Sequence, residues 1–199
     1  MKARTKKILL IISIPLCLFL TLCGLGLFYN LNYVHQHCIV QTILAIKTYS
    51  IEHDGHLPFS TNGFGNALLL LADPSSGNDY MGGWVAPLCG PDDDGHIFRK
   101  ALQNHSIIPE DQCSRVYIQG LSETNDPEIC FLFDRNSSKG GDHGRSPWGH
   151  PVREVGMLEG TRRVIRDEDW PDFSRKQVDL LVAAGFSRTN ALHFYPAAK

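Results

Sequence analysis

Residues 8–28, ILLIISIPLCLFLTLCGLGLF, run without a break into residues 29–52, YNLNYVHQHCIVQTILAIKTYSIE, and the reading of this junction decides the fold. The first stretch is 21 residues long and carries no charge. At a helical rise of about 1.5 Å per residue it spans roughly 30 Å, the hydrocarbon thickness of a bilayer. It has no polar face, which separates it from the surface helix of a soluble domain. Pro15 is compatible with a span, because local adjustment in a membrane helix re-satisfies the backbone that a proline frees. In the second stretch Val34, Cys38, Ile39, Thr42, Ile43, Ala45, Ile46 and Tyr49 recur every three or four residues, so a helix there has one apolar face. Gly55 and Pro58 end it. No Gly or Pro separates Phe28 from this helix. The two stretches therefore predict a single rod of about 45 residues, half in lipid and half packed on a domain.

Lys2, Arg4, Lys6 and Lys7 precede the apolar run. Positive charge stays on the cytoplasmic side, so residues 1–7 form a cytoplasmic tail, 8–28 a transmembrane helix and 29–199 an extracytoplasmic α+β domain. The expected location is the cell membrane, single-pass, with the C-terminal domain in the periplasm or an equivalent space. Two other readings stay open: a cleaved signal peptide with Gly24-x-Gly26 as its small-residue site, and a lipid-modified Cys23, although Leu20-Thr21-Leu22 lacks the usual small residue. With the four basic residues set aside, 15 basic side chains face 21 acidic ones. This balance leaves no basic stripe for nucleic acid or for anionic lipid.

Beyond the helix the signals are short. Gly65 to Ala72 reads as a small apolar helix, and residues 77–112 as an irregular excursion interrupted by a helical turn at Ile97 to Gln103. Arg115 to Gly120 alternates as a strand, and Glu128 to Asp134 is a denser apolar one. Asn136 to Pro151 reads as a loop. Glu154 to Leu158 and Thr161 to Asp167 flank Glu159-Gly160, a tight hairpin signal. Ser174-Arg175-Lys176-Gln177 is a capping box opening a C-terminal helix that runs to Gly185. The expected architecture is a long N-terminal helix packed on an antiparallel sheet of about four strands, closed by a short helix.

Chemistry-bearing clusters are few. Asp92, Asp93 and Asp94 before Gly95 could gather a hard cation, but the spacing is not that of an EF-hand and a solvated acidic turn accounts for it. His143 and His150 share a glycine-rich loop with Asp142, without a zinc spacing. Asp92, Asp94, His143 and His150 are the weak candidates for a metal. No Gly-x-Ser-x-Gly or Ser-x-x-Lys segment offers a nucleophile, and Arg166 to Asp172 reads as an exposed connection. The chain is expected to be no enzyme and to need no cofactor. Cys38, Cys89, Cys113 and Cys130 lie outside the anchor in a compartment that permits disulfides. Four cysteines allow three pairings; Cys89 with Cys113 is favoured because they flank one loop-rich segment, with unpaired thiols as the alternative.

Three stretches taken in order carry a resemblance. His37 to Pro58 holds Cys38, an apolar helix, Tyr49, then Asp54-Gly55 and Pro58; Cys113 to Leu121 is followed by Ile129 to Arg135; and His150 precedes Arg153-Glu-Val-Gly-Met-Leu-Glu159-Gly160. Together they resemble the prepilin-like proteins whose domain is described by a His-x9-Asp-Gly pattern and is related to the type II secretion major pseudopilin. The resemblance covers most of residues 35–184. It implies a pilin-like fold and a structural or interaction role in the bacterial cell envelope, with self-association or envelope partners met through the N-terminal helix. Two departures from the pattern matter. Lys7 leads straight into Ile8, where prepilins carry Gly-Phe-x-x-x-Glu for processing, and Glu159 replaces the Asp with His150 one residue closer. A membrane-tethered metal-dependent hydrolase or a ligand-binding module on the same scaffold is the alternative.

Overall fold

The structure, a computed structural model, describes residues 17–26, 37–72, 80–81, 96–104, 106–139 and 150–196. The chain divides into two compact units, residues 1–36 and 37–199.

The described part of the first unit is helix α1, residues 17–26. Every one of its residues is exposed, with Leu18, Phe19, Leu20, Leu22 and Leu25 each near 60% accessible. The Thr21 hydroxyl donates to the Cys17 carbonyl at 2.8 Å, which satisfies the one hydroxyl in an otherwise apolar helix. Among the described residues no helix is long and apolar enough to cross a membrane. Residues 8–16 and 27–28 of the expected span lie outside the described residues, and so does the junction 29–36 on which the single-rod reading rests.

The second unit is α+β. Its elements run α2 (His37–Glu52), α3 (Phe64–Leu69), α4 (His96–Asn104), β1 (Arg115–Tyr117), β2 (Cys130–Asp134), β3 (Ser138–Lys139), β4 (Pro151–Met157), β5 (Arg162–Arg166), α5 (Trp170–Ala183) and α6 (Arg188–Phe194). All strand pairs are antiparallel. Val152 pairs with both Ser138 of β3 and Arg166 of β5, and Val155 with both Phe133 of β2 and Arg163 of β5. A strand has two edges, so β2 and β3 follow one another along the same edge of β4. Five strands thus occupy four lanes, β1, β2 with β3, β4 and β5, where about four strands were expected. The short β3 lies in the stretch read as loop. Its two residues pair only because β4 begins at Pro151, three residues before the expected start.

The register assigns the two faces of the sheet. Leu132 and Gly156 are partners, as are Phe133 and Val155. Alternation places Leu132, Gly156 and Tyr117 on one face and Val116, Phe133 and Val155 on the other. Helix α2 covers the first: Ile39, Ile43, Ala45 and Ile46 are buried, as the periodicity predicts. Burial of each large side chain stabilises the fold by about 1.5–3 kcal/mol. The helix sits so close that a Cβ on Gly156 would lie 2.9 Å from Ile43 Cδ1 and Cγ1. It stops at Glu52 because Asp54 and Gly55 both take left-handed backbone, φ 54° and 80°, and the Gly55 N–H returns to the Ser50 carbonyl at 2.8 Å. Helices α5 and α6 cover the second face, where Phe133 stacks with Tyr195 at 4.8 Å and meets Trp170 at 5.4 Å.

The C-terminal region corrects the expected single capped helix. Helix α5 begins at Trp170, with Pro171 in its first turn, and Ser174 lies inside it and is buried. Proline is favoured at a helix start because its missing N–H costs nothing there, and that signal overrides the box at Ser174. Gln177 does not cap either. Its side chain accepts from the Cys130 N–H at 2.7 Å and donates to the Glu128 carbonyl at 3.0 Å, tying α5 to the first residue of β2 and to the chain just before it. A second helix, α6, follows Gly185 and is capped by Ser187, whose Oγ accepts from the Asn190 N–H at 3.1 Å.

Candidate functional site

The β1 end of the second face carries a cleft of about 410 Å3. Three strands build its floor: Val116 from β1, Phe133 from β2 and Arg153 from β4 project from neighbouring positions of one face. Trp170 opens α5 and forms one wall, with His193, Phe194 and Pro196 from the end of α6 beside it. Phe64 from α3 and the turn Glu110–Gln112 close the opposite wall. A cleft of this size with aromatic walls and a few polar groups is the usual form of a small-molecule site.

The two arginines in the cleft are held differently. Arg153 lies over the Trp170 ring, 4.7 Å from its centroid, and its Nε and Nη2 reach Asp167 Oδ1 at 3.3 and 3.2 Å. Its Nη1 donates to the Arg135 carbonyl. The charge of Arg153 is therefore balanced and its plane fixed by cation–π contact and hydrogen bonds. Arg135, just past the end of β2, donates from Nε to the Cys113 carbonyl at 2.9 Å and from Nη2 to the Glu110 carbonyl at 2.7 Å. Both acceptors are neutral. No described carboxylate pairs with Arg135, and no described group accepts from its Nη1. Glu110 uses its carboxylate elsewhere, accepting from the Phe64 N–H at 3.2 Å, while Asp111 is exposed.

On the α2 face a row of charges crosses the sheet. Arg115 Nε reaches Asp134 Oδ1 at 3.2 Å, Asp134 Oδ2 accepts from the Glu154 N–H at 3.0 Å, and Arg162 Nη2 pairs with Glu154 Oε1. Arg115 and Glu154 are buried. Two cations and two anions alternate, so burial is offset by pairing.

Buried titratable groups also occur away from the cleft. Burial pushes the Cys130 thiol up to about 12, opposed by its hydrogen bonds with Tyr195 and Leu132. Burial likewise raises Tyr117 and Tyr195 well above the usual phenol value. Their hydroxyls donate to the Pro58 and Cys130 carbonyls, each at 2.9 Å. A thiol kept protonated in this way is a packing group and not a nucleophile at neutral pH.

The residues singled out from sequence fall in several places. Asp92, Asp94, His143 and Cys89 lie outside the described residues, so the Cys89–Cys113 pairing does too. Cys113 is buried, its Sγ 3.6 Å from the Pro109 carbonyl oxygen. His150 is exposed immediately before β4. Of the positions that carry the resemblance, the side chain of Cys38 is outside the described set, and Tyr49 stacks on His53 at 3.7 Å. Asp54 and Gly55 form the turn after α2, and Pro58 accepts from Tyr117. Glu159 and Gly160 make the β4–β5 turn, with Gly160 at φ 95°. Hydrogen bonds from Thr161 and Arg163 hold the Glu159 carboxyl below the usual range. None of the described ones among these residues lines the cleft. Trp170, read with Arg166 to Asp172 as an exposed connection, is buried in its wall. Alternation along β2 and β4 could have placed Phe133 and Arg153 on one face, but nothing in the sequence brings α6 or Arg135 to them.

No family model matches this chain, and neither a curated protein nor a solved structure matches it.

Proposed function

We propose that this chain is a membrane-anchored, non-catalytic structural or interaction protein of the bacterial cell envelope, built on a pseudopilin-like plan. The observation that carries the proposal is the contrast between two helices. The apolar residues of α1 are exposed to about 60%, whereas α2 buries its apolar face against an antiparallel sheet. Water penalises an exposed helix of this composition, and lipid or a packed partner does not. The basic residues 2–7 orient the anchor with its N-terminus in the cytoplasm. Two of the stretches on which the resemblance rests form turns, Asp54-Gly55 after α2 and Glu159-Gly160 between β4 and β5.

Alkaline carbonate extraction of membranes from expressing cells tests the anchor. The full-length chain stays in the pellet; release into the supernatant would end the proposal. Cysteine substitutions walked along residues 30–50 and oxidised in cells test self-association. Crosslinks recurring at helical spacing are expected, and a uniform absence of dimers would remove the assembly part of the reading.

A further inference from the structure

The cleft on the α5/α6 face points to a second property, independent of the anchor. We propose that it binds a carboxylate carried on an aromatic or large apolar group, with Arg135 meeting the carboxylate and Trp170, Phe133 and Phe194 enclosing the apolar body.

Three features of the site lead to this ligand class. Arg135 is half-buried, and two backbone carbonyls fix its guanidinium through Nε and Nη2. A guanidinium held by neutral acceptors keeps its full charge and has lost its side-chain freedom before any ligand arrives. Its Nη1 is the donor left over among the described groups. The nearby Arg153 is already paired with Asp167, so Arg135 is the arginine of the lining without a described carboxylate partner, and the site is not a cluster of anion-binding cations. That selects a single carboxylate over a phosphate, which rewards several cationic contacts. The walls are then largely aromatic, and about 410 Å3 accommodates a phenyl or indole group with a short acid arm. Asp111 and Glu110 stand on the opposite wall. The Glu110 carboxylate is engaged by the Phe64 N–H and Asp111 is exposed, so the acidic groups lie where solvent screens them or a backbone donor occupies them.

The experiment uses the full-length chain in a mild detergent, titrated calorimetrically with N-acetyl-phenylalanine, with its uncharged amide and with phenethylamine. A hydrogen bond to a charged group separates acid from amide by roughly ten- to a hundred-fold. The acid is expected to bind more tightly than the amide by that margin, and its affinity to fall as salt rises. Equal affinity of acid and amide, tighter binding of the amine, or no saturation by about 10 mM acid would each overturn the proposal. R135Q should abolish the preference for acid over amide and leave weak binding through the walls, and F194A should weaken both probes together. If R135Q fails to fold, the three probes on the unmodified chain decide alone. A tripeptide ending in phenylalanine, tested beside its amidated form, separates the two sources of such a group. Binding comparable to the small acid identifies a polypeptide terminus, and binding at least about ten-fold weaker identifies a free acid; both keep the site.

Discussion

Substituting Gly156 by alanine tests the seating of α2 on the sheet. An added Cβ would stand 2.9 Å from two atoms of Ile43 and 3.4 Å from Leu132 Cβ. Ile43 is 1% exposed, so its end cannot swing into solvent. Overpacking a filled core costs about 1–3 kcal/mol. Alanine also narrows the unfolded ensemble, which returns about 0.4–1 kcal/mol. The expected net loss is therefore on the order of 1–2 kcal/mol. Urea unfolding of the full-length chain in mild detergent, followed by circular dichroism, should show a lower midpoint at an unchanged slope. Ile43→Val removes Cδ1, one of the two crowded atoms, and alone costs about 0.5–1.5 kcal/mol. In the double variant the two losses should sum to more than the measured loss by about 0.5–1 kcal/mol, because the valine relieves part of the clash. If G156A were neutral or stabilising, or if the two substitutions were additive, α2 would not lie over Gly156 and the assignment of the sheet faces would fail.

Three further outcomes are expected. Glu154→Gln leaves the partly buried Arg162 without its anion and should lower stability by about 2–3 kcal/mol, measured by the same urea titration; a change below about 0.5 kcal/mol would mean that the charge row is not assembled as described. Burial raises the Cys130 thiol from 9.0 to about 12, so the folded state holds a proton that the unfolded state releases. That stability is complete below pH 9 and is lost as pH rises towards 12, at up to about 1.4 kcal/mol per unit from this group. The buried Tyr117 and Tyr195 add to the loss above about pH 10, and the slope between pH 9 and 10 should flatten in Cys130→Ala if the thiol is its source. Gly160→Ala places a side chain at φ 95° in the β4–β5 turn and should cost about 1 kcal/mol, read as a lower thermal midpoint; no change would indicate a different turn conformation.

The sequence exposes the parts of the fold that depend on local rules. The apolar face of α2 follows from helical period, and the β4–β5 hairpin from the need for left-handed backbone at Gly160. What it hides depends on partners distant in the chain. Gln177 reads as half of a capping box because the box is a local pattern, yet its amide satisfies β2 from 47 residues away. Arg115, Asp134, Glu154 and Arg162 carry no joint pattern in the sequence, since only the lateral order of the strands brings the two arginines to the two carboxylates. Gly156 looks like a weak point in an apolar strand, and only the approach of α2 gives it a reason. The cleft is the extreme case: its residues come from six elements and one turn, and Arg135 gains its meaning from two carbonyls that no motif predicts.

The two faces of the sheet support separable properties, and this separation can be measured. Helix α2 closes one face through the absence of a side chain at Gly156, while the large rings of Phe133, Trp170 and Tyr195 prop α5 and α6 on the other and leave the cleft beside them. A carboxylate ligand bound only by the folded chain adds stability by mass action, about 1.4 kcal/mol at ten times its dissociation constant. Gly156 and Arg135 project to opposite faces and share no described contact, so the two effects should add. The acid probe should therefore restore the urea midpoint that G156A lowers, by the same increment it gives the unmodified chain. An increment that vanished in G156A would show that the α2 face controls the cleft, and the two faces would have to be treated as one coupled unit.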